Sequence, residues 1–377
     1  MRPAACNAKP DDNVSYRTLA TWLLSRFSNI ISNSHNHSNA ALNQIFHVPL
    51  RSWAASSLRK ILVMAAPQKP NSKTIGHERN TPCAPTLLTP TYNEAFSSSE
   101  ADIVLESSDG TLYRVHSYTL RTTSGLFRTM LSLPPPSGGH THEPIAIHHP
   151  DAVVEPLLRL ICGLATRPWR SIDELEAVLT LAESWDAPGP ISSLRIALSG
   201  GKWLTTAPLR LYALAAHFAW PAEAQRASTH TLVLDLSSPA HAPVLASLPA
   251  PALLALLRLH RTRRDALRAL LDSPERFLAG NGDPFHCSAC AVTPLDNRTW
   301  RALKARIFRE MNVRPLGDTL GVPVGGMCDW PEAKACWAAR CAKEGCGAAN
   351  YDRAATLKQV RTCVDALPLV VELDWMD

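Results

Sequence analysis

The sequence predicts an α+β protein, and three observations carry that reading. Between Ile103 and Val115 apolar residues alternate about a central Asp109-Gly110, the pattern of two short strands joined by a turn. After His116 the apolar period lengthens from two to about 3.6. From Pro150 to Leu271 the chain repeats helix-length apolar faces, many opened by a proline.

The opening hairpin holds Ile103 and Leu105 in its first run, then Ser107-Ser108-Asp109-Gly110, then Leu112, Tyr113 and Val115, with Arg114 out of phase. Glycine suits the turn because it accepts positive φ. Leu120, Phe127, Met130 and Leu131 fit the buried face of two short helices broken near Ser124-Gly125. Leu133 to His140 is a Pro/Gly-rich loop, and Pro144 to Ile147 alternates as a third strand. Pro150-Asp151 opens a helix reaching Cys162, with Asp151 favourably placed at its positive end. Ser171, with Glu174 three residues on, is a capping box that starts a helix running to Trp185. Its face is Leu175, Val178, Leu179 and Ala182. Further helices are expected over 191–198, 209–220, 222–232, 239–247 and 251–271, with proline at or near several first turns. Gly200-Gly201-Lys202-Trp203 reads as a linker, lacking the residues of a phosphate loop.

At 377 residues the chain has room for two domains and a tail, and its 46% hydrophobic content supports buried cores. The net charge of +5 is concentrated in residues 1–99, with ten Lys/Arg against four Asp/Glu. The other residues carry 28 against 29, too balanced for an electrostatic case for nucleic acid. Residues 1–99 show no sustained period and are expected to be mostly disordered, apart from a short helix over 16–31. They also read as a mispredicted extension, with Met64 as the alternative initiator. No apolar run is long enough to span a bilayer. The chain lacks a secretory start, so its ten cysteines are expected to be reduced.

The strongest chemical constellation is a cysteine group. Six of the ten cysteines lie between 287 and 346. Cys287-x-x-Cys290 and Cys341-x(4)-Cys346 are the preferred ligand set for a tetrahedral zinc ion, because paired thiolates at such spacings reach one ion. The 50 residues between the pairs make a long gap, and Cys328, Cys336 and His286 compete as ligands. A scatter of buried reduced cysteines in a helical segment is the other reading. His140, His142, Glu143, His148 and His149 flank the third strand and read as solvated loop residues.

The stretch from Ala101 to Leu133 resembles the start of a BTB/POZ domain, of the kind found in fungal proteins. The match lies in D-I-V-L-x(4)-D-G-x(3)-R-V-H-S-x(2)-L-x(3)-S-x-L-F-R-x-M, where Asp102, Gly110, His116, Leu120, Ser124, Phe127 and Met130 fall on the pattern. The resemblance implies a short mixed sheet flanked by helices over residues 100–200. An α-helical region (205–280) and a cysteine-bearing helical segment (281–377) would follow. It implies protein–protein interaction, most often homodimerisation, with apolar residues of the opening strand and first helix on the shared face. Asp102, His116, Leu120, Phe127 and Met130 would be core or dimer positions, His116 being structural and near Asp102. The triplet Val153-Val154-Glu155 resembles the short pattern that some BTB domains present to a cullin scaffold, which makes Val153 and Glu155 partner-binding candidates. Two core valines and one solvated glutamate are the plainer reading.

A substrate adaptor for a cullin-type ubiquitin ligase is therefore one expectation. A nuclear co-regulator with a zinc-binding carboxyl-terminal segment is the alternative. No nucleophile elbow, Walker loop or dinucleotide glycine array is present, so no enzyme activity is expected. Zinc is the one cofactor the sequence suggests, and the expected compartment is cytoplasmic or nuclear.

Overall fold

A computed structural model describes residues 91–133, 143–282 and 285–374. Most of the expected tail, the 16–31 helix and the histidines at 140 and 142 lie outside the described residues. The chain divides into two units, and each is taken by itself.

The first unit is a four-stranded sheet in the order β1-β3-β2-β4. Strands β2 (Ile103–Glu106) and β3 (Thr111–Val115) pair antiparallel, Ile103 facing Val115 and Glu106 facing Leu112. The turn is the predicted one: Gly110 has φ +82° and its N–H donates to the Ser107 carbonyl at 3.1 Å. The Ser107 hydroxyl accepts from the Thr111 N–H at 3.2 Å, tightening the loop from inside. β4 (Ile145–Ala146) adds parallel to β2.

Two features of this unit depart from the sequence reading. Residues 91–96 belong to the fold rather than to a disordered tail. β1 (Thr91–Tyr92) pairs parallel with Thr111 and Leu112, and a 3-10 turn follows at Glu94–Phe96. Phe96 is buried with its ring 5.7 Å from Tyr113. A two-residue strand is too short to show a period, so the pattern gave no signal. Leu112, Tyr113 and Val115 are all buried, as suits a strand with neighbours on both sides. Arg114, out of phase, lies with its guanidinium 4.4 Å from the centre of the Tyr92 ring.

The second unit is helical. α1 (Ser117–Thr123) and α2 (Gly125–Ser132) meet at Ser124, the predicted break. The Ser124 hydroxyl accepts from the Phe127 N–H at 3.2 Å and donates to the Trp185 carbonyl at 2.6 Å. Gly125 and Leu126 donate their N–H groups to the carbonyls of Asp186 and Trp185 at 2.9 and 3.2 Å. The orphan donors of the α2 start are thus satisfied by a distant turn. Glycine at 125 leaves room for the Asp186 carboxylate, which a Cβ there would displace. Phe127 packs edge-on against Trp185, ring centres 5.0 Å apart.

α3 (Asp151–Ile161) carries Val153, Val154, Leu157, Leu158 and Ile161 into the core and contains Pro156. α4 (Ile172–Ser184) buries all four expected face residues. Its Ser171 cap accepts from the Glu174 N–H at 3.1 Å, as a capping box requires. The return bond differs: the Glu174 carboxylate takes the Arg170 N–H at 3.0 Å and the Arg167 guanidinium at 2.7 Å. α5 (Pro188–Leu198) starts three residues ahead of the expected bound, with Pro188 in its first turn.

The predicted linker at 200–203 is instead the start of α6 (Gly201–Thr206), which buries Trp203 and Leu204. A six-residue helix shows no full apolar repeat, and the glycines at its N-cap and first position hide it. α7 (Pro208–His217) and α8 (Pro221–Thr231) pack as a pair, broken where expected before Pro221. Arg195 of α5 and Glu223 of α8 form a two-pronged ion pair with both bonds at 2.8 Å. The expected helix over 239–247 is a 3-10 turn at Pro239–His241 followed by α9 (Ala242–Ser247).

α10 (Ala250–Asp272), α11 (Leu278–Asn281), α12 (Arg298–Val313), α13 (Pro331–Ala338) and α14 (Arg353–Asp365) complete the chain. One core joins them, including Leu267, Leu271, Trp300, Ile307, Met327 and Val360. Arg263 of α10 is buried beneath the loops that follow α12 and α14. Its guanidinium donates to the carbonyls of Pro315, Leu316, Leu367 and Pro368 at 2.8, 2.9, 3.2 and 2.5 Å. Desolvation lowers its value to about 10, still charged at neutral pH. Among the described residues no helix is long and apolar enough to cross a membrane.

Candidate metal centre

Two short hairpins bring the four preferred cysteines together, and the two are built alike. In the first, Cys287 donates its N–H to the Thr293 carbonyl at 2.8 Å, and His286 bridges Pro294. In the second, Cys341 donates its N–H to the Ala348 carbonyl at 2.9 Å, and Arg340 bridges Ala349. Each second cysteine is followed at once by a residue with positive φ, Ala291 at +54° and Gly347 at +57°. That backbone curls the chain so that both thiols of a knuckle face one point. Ala291 carries a Cβ in this region, a local strain that glycine avoids at 347.

The sulfurs of Cys287 and Cys346 lie 3.8 Å apart, as do those of Cys290 and Cys341. All four lie within 4.8 Å of one another. A tetrahedral ion bonded at about 2.3 Å to four sulfurs separates them by about 3.8 Å along each edge. The donor set therefore has the size of a four-thiolate metal site. At these separations no disulfide is present, and all eight described cysteines are free.

The electrostatics also suit a cation. The amides of Val292 and Thr293 and the Thr293 hydroxyl point at Cys290 and hold it down to about 5. The Cys290 and Ala289 amides lower Cys287 in the same way. The Ala348 amide favours the Cys346 thiolate, yet burial and the neighbouring sulfurs push that thiol up to about 11. Backbone dipoles thus stabilise the first charges, and crowding opposes the last. A divalent cation removes that opposition.

Residues around the centre lock the hairpin stems. The Tyr351 hydroxyl donates to Asn297 at 2.9 Å, joining the stretch after the second knuckle to the stretch after the first. The Trp300 indole N–H donates to Asn281 at 2.9 Å across the base of the first knuckle. A Cβ at Gly280 would collide with the Trp300 ring, so the backbone packs directly on it.

The competing ligands lie elsewhere. The Cys328 thiol donates to the Val322 carbonyl at 3.0 Å, and Cys336 sits fully buried in the core. Burial pushes Cys336 up to about 12, so it is an inert apolar filler. His286 is exposed and outside the sulfur group. Paired spacing in the sequence singles out the same four cysteines that the fold brings together; the matched backbone of the two knuckles is not visible in it, because their spacers differ.

The other candidate residues fall differently. Leu120 and Phe127 are buried core and Met130 is half-buried. Asp102 and His116 are both exposed, which corrects the expectation of a core position for them and leaves Asp102 as the expected dimer position. His116 occupies the N-cap of α1 without a side-chain capping bond. Val153 is buried, and Glu155 forms an ion pair with Arg159 at 2.8 Å one turn along α3. His149 is half-buried and lowered by burial and by His148. Asp186, which sequence reasoning did not single out, closes the α2 start from a left-handed conformation at φ +50°. The turn Trp185-Asp186 just beyond a capped helix was the available signal.

No family model and no curated protein matches the chain.

Proposed function

We propose that the chain is a protein-interaction protein that pairs with a second copy of itself, and that its four-cysteine centre holds zinc as a structural ion. Binding rather than catalysis is its role in this reading. The observation that carries the pairing is Tyr118, which α1 presents to solvent at 77% exposure. Leu126 at the start of α2 is 41% exposed, whereas Leu120 and Phe127 of the same helices are buried. Covering such side chains in a two-fold contact removes apolar surface from water at about 25 cal/mol per Å². The BTB/POZ-like pattern of residues 101–133 supports the same face. A cullin scaffold is the further partner class that the resemblance adds. Val153 and Glu155 lend it no support, one being core and the other engaged with Arg159.

Zinc is favoured by the donor chemistry: four thiolates form a closed, soft set with no position left for water. Light scattering on the reduced full-length chain tests the pairing. A dimer at micromolar concentration, converted to monomer by Tyr118→Glu with Leu126→Glu, is the expected result. A folded monomer before substitution would remove the self-association reading.

A further inference from the structure

We infer that the four-cysteine centre is also an oxidation site, at which peroxide releases the metal and cross-links the two knuckles. This rests on the zinc reading above. Two sulfur contacts of 3.8 Å run from one knuckle to the other, Cys287 to Cys346 and Cys290 to Cys341. Each pair joins one half-buried cysteine to one buried cysteine: Cys346 with Cys287, and Cys290 with Cys341. Each therefore offers an accessible sulfur for attack and a sheltered neighbour to resolve the product.

The chemistry balances with hydrogen peroxide as the named oxidant. With each sulfur counted with its proton, the peroxide oxygen bonds to the Cys346 or Cys290 sulfur, the O–O bond breaks, and one water leaves. The resulting sulfenic acid is attacked by the Cys287 or Cys341 sulfur, which forms the S–S bond and expels a second water. Two thiols lose two electrons, and one peroxide becomes two waters at each pair. With its sulfurs oxidised, the site has no anionic donor left for a cation.

The sulfurs must approach from 3.8 Å to about 2.05 Å. Both second cysteines lie on tight turns outside regular helices or strands, so a shift of this size leaves the helices in place. The two new bonds tie knuckle to knuckle, as the ion did. The metal-free oxidised form thus keeps its carboxyl-terminal core. Cys328, Cys336 and Cys363 are buried in that core and stay reduced.

The test uses the reduced full-length chain loaded with zinc, treated with hydrogen peroxide beside a zinc indicator, then digested without reduction for mass spectrometry. Release of the bound zinc, with Cys287–Cys346 and Cys290–Cys341 disulfides and unchanged far-UV circular dichroism, is the expected result. Thiol reductant with added zinc should restore the starting state. Zinc retained through peroxide treatment, or disulfides confined within a knuckle (Cys287–Cys290 with Cys341–Cys346), would overturn the inference and leave the zinc reading standing. A reduced chain that takes up no zinc would overturn the zinc reading, and the disulfide map would still decide whether the pairs form.

Discussion

The helices over 151–232 and the segment over 285–367 are held together by different means. In the first, buried faces such as Leu175, Val178, Leu179 and Ala182 on α4 are joined by partnered polar groups such as the Arg195–Glu223 pair and by capped helix ends. Ser171 and the Ser124–Trp185 junction are such ends. In the second, a core of comparable apolar residues surrounds α12 and α14, yet the stretches 285–295 and 340–350 form only bridged hairpins. Two residues of backbone pairing cannot hold a hairpin in water. Four sulfurs at the separation of metal ligands supply the missing constraint. Side-chain packing and hydrogen bonding thus organise one region, while in the proposed reading the other uses an ion to finish its loops.

Metal removal separates the two regions most strongly. If the centre holds zinc as proposed, free zinc at about a thousand times its dissociation constant would stabilise the folded chain by about 4 kcal/mol. A chelator should therefore raise amide exchange at 285–295 and 340–350 by orders of magnitude while leaving α4 and α7 protected. Uniform loss of protection across both regions would dissolve the distinction.

Gly125→Ala makes the reverse cut. The added Cβ meets the Asp186 carboxylate, and overpacking of this kind costs about 2 to 3 kcal/mol. Urea unfolding should show that loss, with part of it recovered in the double variant carrying Asp186→Ala. An additive double variant would mean that the junction is not where the strain arises.

The pH dependence sharpens the contrast at His260, which lies between the regions on α10 and contacts the Thr231 hydroxyl at 3.2 Å. Burial, helped by the Arg263 charge, lowers it from the ordinary 6.5 to about 4. The folded form resists the proton that the unfolded chain accepts, so the stability present above pH 6.5 is lost as pH falls towards 4. The loss amounts to about 3 kcal/mol. Against His260→Asn, which does not titrate, the native chain should show this extra slope in urea midpoints. Parallel profiles would place the imidazole in water.

Ser171→Ala has the smallest expected effect, about 1 kcal/mol for a lost helix cap. Thermal unfolding should register it without altering metal content. A drop in bound metal would show that the two regions are coupled.

Much of this organisation was legible in the sequence because its causes are local. The Asp109-Gly110 turn, the Ser124-Gly125 break, the Ser171 cap and the prolines at 208 and 221 act on neighbours within a few residues. The cysteine ligands were legible for a related reason, since a knuckle's spacing is set by short-range geometry. What escaped depends on distant partners. β1 exists because Thr111 and Leu112 lie beside it, and α6 because Trp203 and Leu204 find a core. Arg263 sat in a basic run that read as the end of an apolar face. Nothing in its neighbours announces four carbonyls from loops about 50 and 100 residues away.

Cobalt titration of the reduced full-length chain reads the four-cysteine centre itself, because tetrahedral tetrathiolate cobalt(II) has a distinctive visible spectrum. Saturation at one ion per chain, displacement by zinc, and loss of the spectrum in Cys290→Ser are expected. No spectrum, or one that survives that substitution unchanged, would contradict the four-thiolate reading.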